Sequence, residues 1–255
     1  MLMTFEYYDK IKPDLIKKAE HMYAKYVNMH DELLAVRQRR TARVEYSRDR
    51  HDLILGYYCP NPLKDLVIGN VKRGRILKRK SSFASADIIF FFDKNNELIG
   101  AEEKLSANIR QHYIINEDGY SWILSFNNAR ELFGSDSDAI CNMTLWCKED
   151  GKISLYIDID TDNDSNASGF GDLADLEVWL FTYCQDIPVE FEFFDEDIYP
   201  QRKQAILKKY YYGEVYRDIY KFDHKTEEGL SRYNIYSCRY GSDEMTPDGY
   251  QDIAL

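Results

Sequence analysis

The chain has 255 residues, 44% hydrophobic and 15% aromatic, a composition that excludes a disordered or collagenous protein. Its net charge of −11 is unevenly spread: residues 1–80 hold 18 Lys+Arg against 10 Asp+Glu, or +8, which leaves 15 against 34, or −19, for residues 81–255. No stretch approaches the ~18 apolar residues of a membrane-crossing helix, and Glu6 and Asp9 stand where a signal peptide would be basic and then apolar, so a cytoplasmic protein is expected.

Along the chain, Leu15, Ala19, Met22, Tyr26 and Leu33 recur at helical steps and predict one long helix, with Pro13 in its first turn and its end near Arg39. The basic stretch Arg37, Arg39, Arg40, Arg43 leads into strands expected around 44–46 and 53–58. Cys59-Pro-Asn-Pro62 breaks the chain, and a second basic cluster comes after it: Lys72, Arg73, Arg75, Lys78, Arg79 and Lys80, expected as strand flanked by loop.

Three hairpins come next. Residues 88–92 and 98–103 flank Asp93–Glu97; residues 113–115 and 121–126 flank Glu117-Asp118-Gly119; residues 141–147 and 153–159 flank Glu149-Asp150-Gly151. A three-residue loop ending in Gly suits a type I turn followed by a left-handed residue. Centring the third loop on Asp150 pairs Cys147 with Ile153, Leu145 with Leu155, Met143 with Ile157 and Cys141 with Ile159, all apolar. Residues 160–171 read as a polar loop. Residues 173–184 are helix or buried strand, and Leu173, Leu176 and Leu180 favour helix. Val189, Phe191 and Phe193 alternate as a strand, 200–212 reads as a short helix stopped by Gly213, late strands fall near 215–219 and 233–236, and 246–255 reads as a loose tail. The fold class expected is a single α+β domain over 1–255: an antiparallel hairpin meander packed with a long N-terminal helix and shorter C-terminal helices. A subdivision near 80–86 between basic and acidic parts is the alternative.

Two constellations could carry chemistry. Asp87 before one strand, with Glu102 and Lys104 on the next, matches the PD-(D/E)xK pattern, in which two carboxylates hold a divalent metal and a lysine positions water near phosphate. The same geometry serves an ordinary cross-strand ion pair between Asp87 and Lys104 with Glu102 beside it. The alternating carboxylates Asp158, Asp160, Asp162 and Asp164 suggest a calcium loop, but counted from Asp160 the sixth position is Ser165 and the twelfth Gly171, which excludes an EF-hand. The five cysteines form no C-x-x-C pair, the histidines are scattered, and phosphate-cradling glycine motifs are absent from the sequence. No metal or other cofactor is expected.

The stretch Asn142-Met-Thr-Leu-Trp-Cys-Lys-Glu-Asp-Gly-Lys-Ile-Ser-Leu-Tyr-Ile-Asp158, an Asn-x-Thr strand, an acidic-Gly turn and an alternating strand ending in acid, resembles a passage of the YezG-type immunity proteins of bacterial polymorphic toxin systems. Pro200–Gly213, with its Arg and clustered tyrosines, is similar to the next segment of those proteins. The resemblance covers less than a third of the chain. It implies a cytosolic antitoxin that neutralises a toxin, often a nuclease, by stoichiometric binding. The expected partner is therefore a protein, with neither nucleic acid nor membrane. The expected binding surface comprises Asp158, Asp160, Asp162, Asp164, Asp195, Glu196, Asp197 and Tyr199, whose carboxylates would steer a basic partner and whose aromatics would anchor it.

Overall fold

The computed structural model describes residues 5–49, 53–67, 73–105, 109–127, 139–161, 173–184, 187–197, 215–238 and 244–254. Their architecture is α+β, dominated by antiparallel sheet. The described residues form two compact units: one holds those up to 21, those of 147–161 and those from 173 on, the other those of 22–146. Residues 80–86 lie inside the second of these.

The expected single helix is two. Helix α1 spans Phe5–Tyr26, starting ahead of Pro13, which lies within it. Val27 and Asn28, both weaker helix formers, form a turn. Helix α2 then runs His30–Arg40, with Asp31 and Glu32 in its first turn and Arg37, Arg39 and Arg40 in its last, as the helix dipole favours. A single turn of helix, α3, covers Lys64–Val67.

The unit built around 22–146 carries strands β1 (Arg43–Arg48), β2 (Arg75–Ile76), β3 (Ile88–Phe92), β4 (Leu98–Lys104), β5 (Ile109–Glu117), β6 (Tyr120–Asn127) and β7 (Ala139–Glu149), its last three residues beyond the division. They lie in the order β7-β6-β5-β4-β3-β1-β2. Alternation sets the core: Ile88, Phe90 and Phe92 are buried, and Tyr58 meets Phe90 and Phe92 edge-on at 4.8 and 5.5 Å. Residues 53–58, expected as a strand, are instead a bend ending in the 3₁₀ turn Gly56–Tyr58, with Leu55 and Gly56 at φ 59° and 44°. A Cβ at Gly56 would stand 1.8 Å from Asp49 Oδ2, so glycine is required there. Among the described residues of the second basic cluster, Arg75 and Ile76 are strand, followed by a 3₁₀ turn over Lys80–Ser85.

The other unit carries β8 (Lys152–Thr161), β9 (Leu173–Cys184), β10 (Ile187–Asp197), β11 (Val215–Lys225), β12 (Ser231–Cys238) and β13 (Thr246–Ile253), neighbours in chain order. Of the two readings of 173–184, strand is realised. Val178, Trp179, Phe181 and Thr182 are β-branched or aromatic, and hydrogen-bonded neighbours on both sides suit a buried central strand with a near-continuous apolar run. The expected loose tail is β13, paired with β12 from Ser231↔Ile253 to Ser237↔Thr246. Strand β8 takes in Asp160 and Thr161; the rest of the predicted polar loop and the helix expected at 200–212 fall outside the described residues.

Both acidic-Gly turns are tighter than expected. Asp118 and Gly119 lie at φ 53° and 80° with Glu117 opposite Tyr120; Asp150 and Gly151 lie at φ 50° and 79° between strands ending at Glu149 and starting at Lys152. Two consecutive left-handed residues define a two-residue type I′ turn, whose twist matches the strands it joins. The register at Asp150 therefore differs by one residue from the apolar pairing expected: Cys147 Sγ contacts Ser154 Oγ at 3.4 Å, not Ile153.

Candidate functional site

The strongest concentration of one chemistry lies on β8, β9 and β10. Asp158 pairs with Glu177 and Glu177 with Asp195; two residues along, Asp160 pairs with Asp175 and Asp175 with Asp197. Alternate rungs share one side of a sheet, so by register six acidic positions fall in line across three neighbouring strands, next to the register row of positions 156, 179, 193 and 218. Asp158 is buried, Glu177 half-buried and Asp160 exposed, and the Trp179 indole N–H donates to Glu177 at 3.3 Å. Asp218 on β11 extends the acidic run: burial, then the nearby Asp248 charge, raise its pKa, against a hydrogen bond from the Ser237 hydroxyl at 2.8 Å. That hydroxyl also lies 3.0 Å from Asp248.

Of the expected surface, the fold unites Asp158, Asp160, Asp195 and Asp197 and adds Asp175 and Glu177, which the sequence pattern did not single out. Their signal was acid at alternate positions in 175–177, legible only once that segment is a strand. Glu196 pairs with Leu176 and so falls on the opposite side of the ladder. Asp162, Asp164 and Tyr199 lie outside the described residues.

The second constellation is partly assembled. The Lys104 N–H donates to the Asp87 carbonyl at 2.7 Å, as the hairpin predicts, and Glu102 pairs with Ile89 on the same side. The two carboxylates are engaged elsewhere. The Asp87 carboxylate accepts the Asp49 N–H at 3.0 Å, while Glu102 accepts Gln111 Nε2 at 3.2 Å and faces the Arg37 guanidinium at 3.9 Å. The next element along the chain is strand β5, where the PD-(D/E)xK core has a helix. Among the described residues no group of three His, Cys, Asp or Glu side chains is arranged to hold a metal ion.

A third arrangement was not visible in the sequence. His112 Nδ1 lies 2.9 Å from Ser125 Oγ and Nε2 lies 3.2 Å from Glu103 Oε2, with Arg110 3.6 Å from that carboxylate. An ionised carboxylate only accepts, so Nε2 carries the proton and the serine hydroxyl donates to Nδ1. The connectivity is that of a Ser-His-acid triad. However, Glu103, His112 and Ser125 are all buried, at 2%, 0% and 0% exposure, which leaves the hydroxyl no route to a substrate. Burial lowers the His112 pKa, more than Glu103 raises it, and so favours the neutral ring. The three residues sit on neighbouring strands and form a satisfied interior network. Separations of nine and thirteen residues gave no hint of it.

No family model, curated protein or solved structure matches this chain. Among the described residues no helix is long and apolar enough to cross a membrane.

Proposed function

We propose that the chain is a non-catalytic, cytoplasmic binding protein, and in the sharpest form an immunity protein that neutralises a toxin domain, nucleases included, by direct contact. The observation that supports this reading is the acidic ladder on β8–β10. Carboxylates on facing positions of adjacent strands oppose pairing, so their concentration is better explained by recognition than by stability. A nuclease is basic where it grips phosphate, and an acidic surface gains association rate and specificity against it. The resemblance of 142–158 to immunity proteins points to the same class.

The test is growth rescue and binding kinetics with any toxin candidate that an adjacent reading frame encodes. Wild-type protein should restore growth, and its association rate should fall about tenfold or more between low and physiological-to-high salt. The triple reversal Asp160→Lys, Asp175→Lys, Asp197→Lys should slow association comparably at low salt and abolish rescue, with the circular dichroism spectrum unchanged. Association indifferent to both salt and reversal would sink the reading.

A further inference from the structure

The basic segments of residues 43–80 separate into two populations. Arg73 is structural, donating to the Cys59 carbonyl at 2.9 Å and pairing with Asp65, also at 2.9 Å. Arg43 stacks over the Phe92 ring at 3.8 Å. By contrast Arg48, Arg75, Lys78, Arg79 and Lys80 are all exposed, and among the described residues none of their side chains has a hydrogen-bonding or ionic partner.

The fold gathers these five. Arg48 on β1 stands directly opposite Arg75 on β2, a like-charge pair that works against strand pairing. On its other side β1 pairs with β3 as far as Ser47↔Ile88; just beyond, the Asp87 N–H donates to the Ser47 carbonyl at 2.9 Å and the Lys104 N–H to the Asp87 carbonyl at 2.7 Å, so Arg75, Arg48 and Lys104 lie at the same end of neighbouring strands. Lys104 is exposed, and the intervening Asp87 carboxylate is held by the Asp49 N–H at 3.0 Å. Three strand spacings, about 14 Å, separate β2 from β4. Lys78, Arg79 and Lys80 come directly after β2, and Phe83 stacks on Tyr46 of β1 at 4.2 Å, pinning the 80–85 turn to the same edge. The Ser82 N–H and hydroxyl both bond the Arg79 carbonyl, at 2.9 and 2.6 Å. Asp49, wedged where a Cβ at Gly56 or Gly74 would stand within 2.4 Å, fixes the end of β1 against both flanking segments.

We propose that this edge, Arg48, Arg75, Lys78, Arg79, Lys80 and Lys104, is a binding surface for the phosphate backbone of a nucleic acid. Arginine forks match phosphate oxygens in pairs and lysines add point charge. A row of cations about 14 Å long, held on a strand pair and a pinned turn, spans a few consecutive phosphates. With no base-reading group placed beside it, the surface is expected to bind without sequence preference. This inference does not rest on the immunity reading, which concerns the acidic ladder.

Fluorescence anisotropy with labelled single- and double-stranded oligonucleotides tests it. If about four duplex phosphates are contacted, affinity should fall about a hundredfold between 50 and 200 mM salt. Arg48→Glu, Arg75→Glu, Lys78→Glu, Arg79→Glu together should weaken binding at least tenfold at 50 mM and flatten the salt slope; the milder glutamine set should do the same to a lesser degree if the reversed protein misfolds. Lys148→Glu with Lys152→Glu should leave affinity within twofold. Absence of binding at 50 mM salt, or binding that the glutamine set leaves unchanged, overturns the proposal and leaves the cations as guards of an edge strand. Equal binding of poly-glutamate in competition overturns it in favour of an acidic protein partner.

Discussion

Two regions of the molecule arrange charge differently: the interior of the 22–146 unit and the β8–β10 ladder of the other. In the unit around 22–146, buried charge is surrounded by partners. Arg37 of α2, only 4% exposed, donates to the Ala101 carbonyl at 3.0 Å and to Gln111 Oε1 at 2.6 Å, faces Glu102 at 3.9 Å, and stacks on Phe91 and Tyr113 at 4.3 and 5.1 Å. Glycine at position 100 makes room: a Cβ there would approach Arg37 Cδ at 3.1 Å and the His112 carbonyl at 2.4 Å. Glu103, His112, Ser125 and Arg110 form a second such set. In the unit that carries β8–β13, acidic positions lie opposite acidic positions across neighbouring strands, and Asp218 lies near Asp248 with one serine hydroxyl serving both. Charge enclosed by its partners holds a fold together. A ladder of one sign is what the proposed recognition would use.

The largest effect is expected at Arg37. Arg37→Ala removes a guanidinium that serves a buried carbonyl, a carboxylate and two rings, and should lower stability by about 3 kcal/mol or more, measured by urea denaturation. Lys152→Ala, which removes an ammonium 5.5 Å from the Tyr183 ring in the other unit, should cost less than about 1 kcal/mol. Comparable losses would erase the contrast.

A smaller effect separates the units by pH. Burial depresses the His112 pKa, so the folded state resists a proton that the unfolded chain accepts below its ordinary value. Stability from this group is present above the unfolded pKa and lost as pH falls toward the folded one. The loss below about pH 6.5 should reach at most ~1.4 kcal/mol per pH unit. Urea midpoints at pH 7 and pH 5 measure it, and His112→Gln should flatten the difference. An unchanged slope in that variant would mean that the buried network does not govern acid stability.

Asp218 should respond with the opposite sign. Its pKa is raised by burial and by Asp248, so the folded state favours the proton, and the stability that protonation brings is present below the unfolded pKa and lost as pH rises through the folded one. Asp218→Asn, which keeps an oxygen to accept from Ser237, should therefore be more stable than wild type at pH 7 and no more stable near pH 3. A variant that is weaker at pH 7 would show that the carboxylate is held by compensating charge rather than by burial against repulsion.

Local pattern settled much of this architecture. An apolar run at 88–92 and alternation at 141–147 and 153–159 marked strands that are strands, and the Asp-Gly dipeptides at 118–119 and 150–151 marked turns that are turns. These features depend on neighbours within a few residues, where chain geometry leaves little choice. Tertiary structure decided the remainder. Residues 173–184 carry leucines at helical spacing, yet two flanking strands satisfy their backbone and make them β9; residues 246–253 carry almost no apolar pattern, yet β12 offers an edge and makes them β13. The acidic ladder depends on the registers of β8 with β9 and of β9 with β10, the His112 network on the stacking of β4, β5 and β6, and the basic edge on a two-residue strand placing Arg75 against Arg48. Composition showed how much charge each part of the chain carries. Which charges face one another is a matter of register, and in a sheet register is fixed by pairing between segments that the sequence alone leaves free to slide.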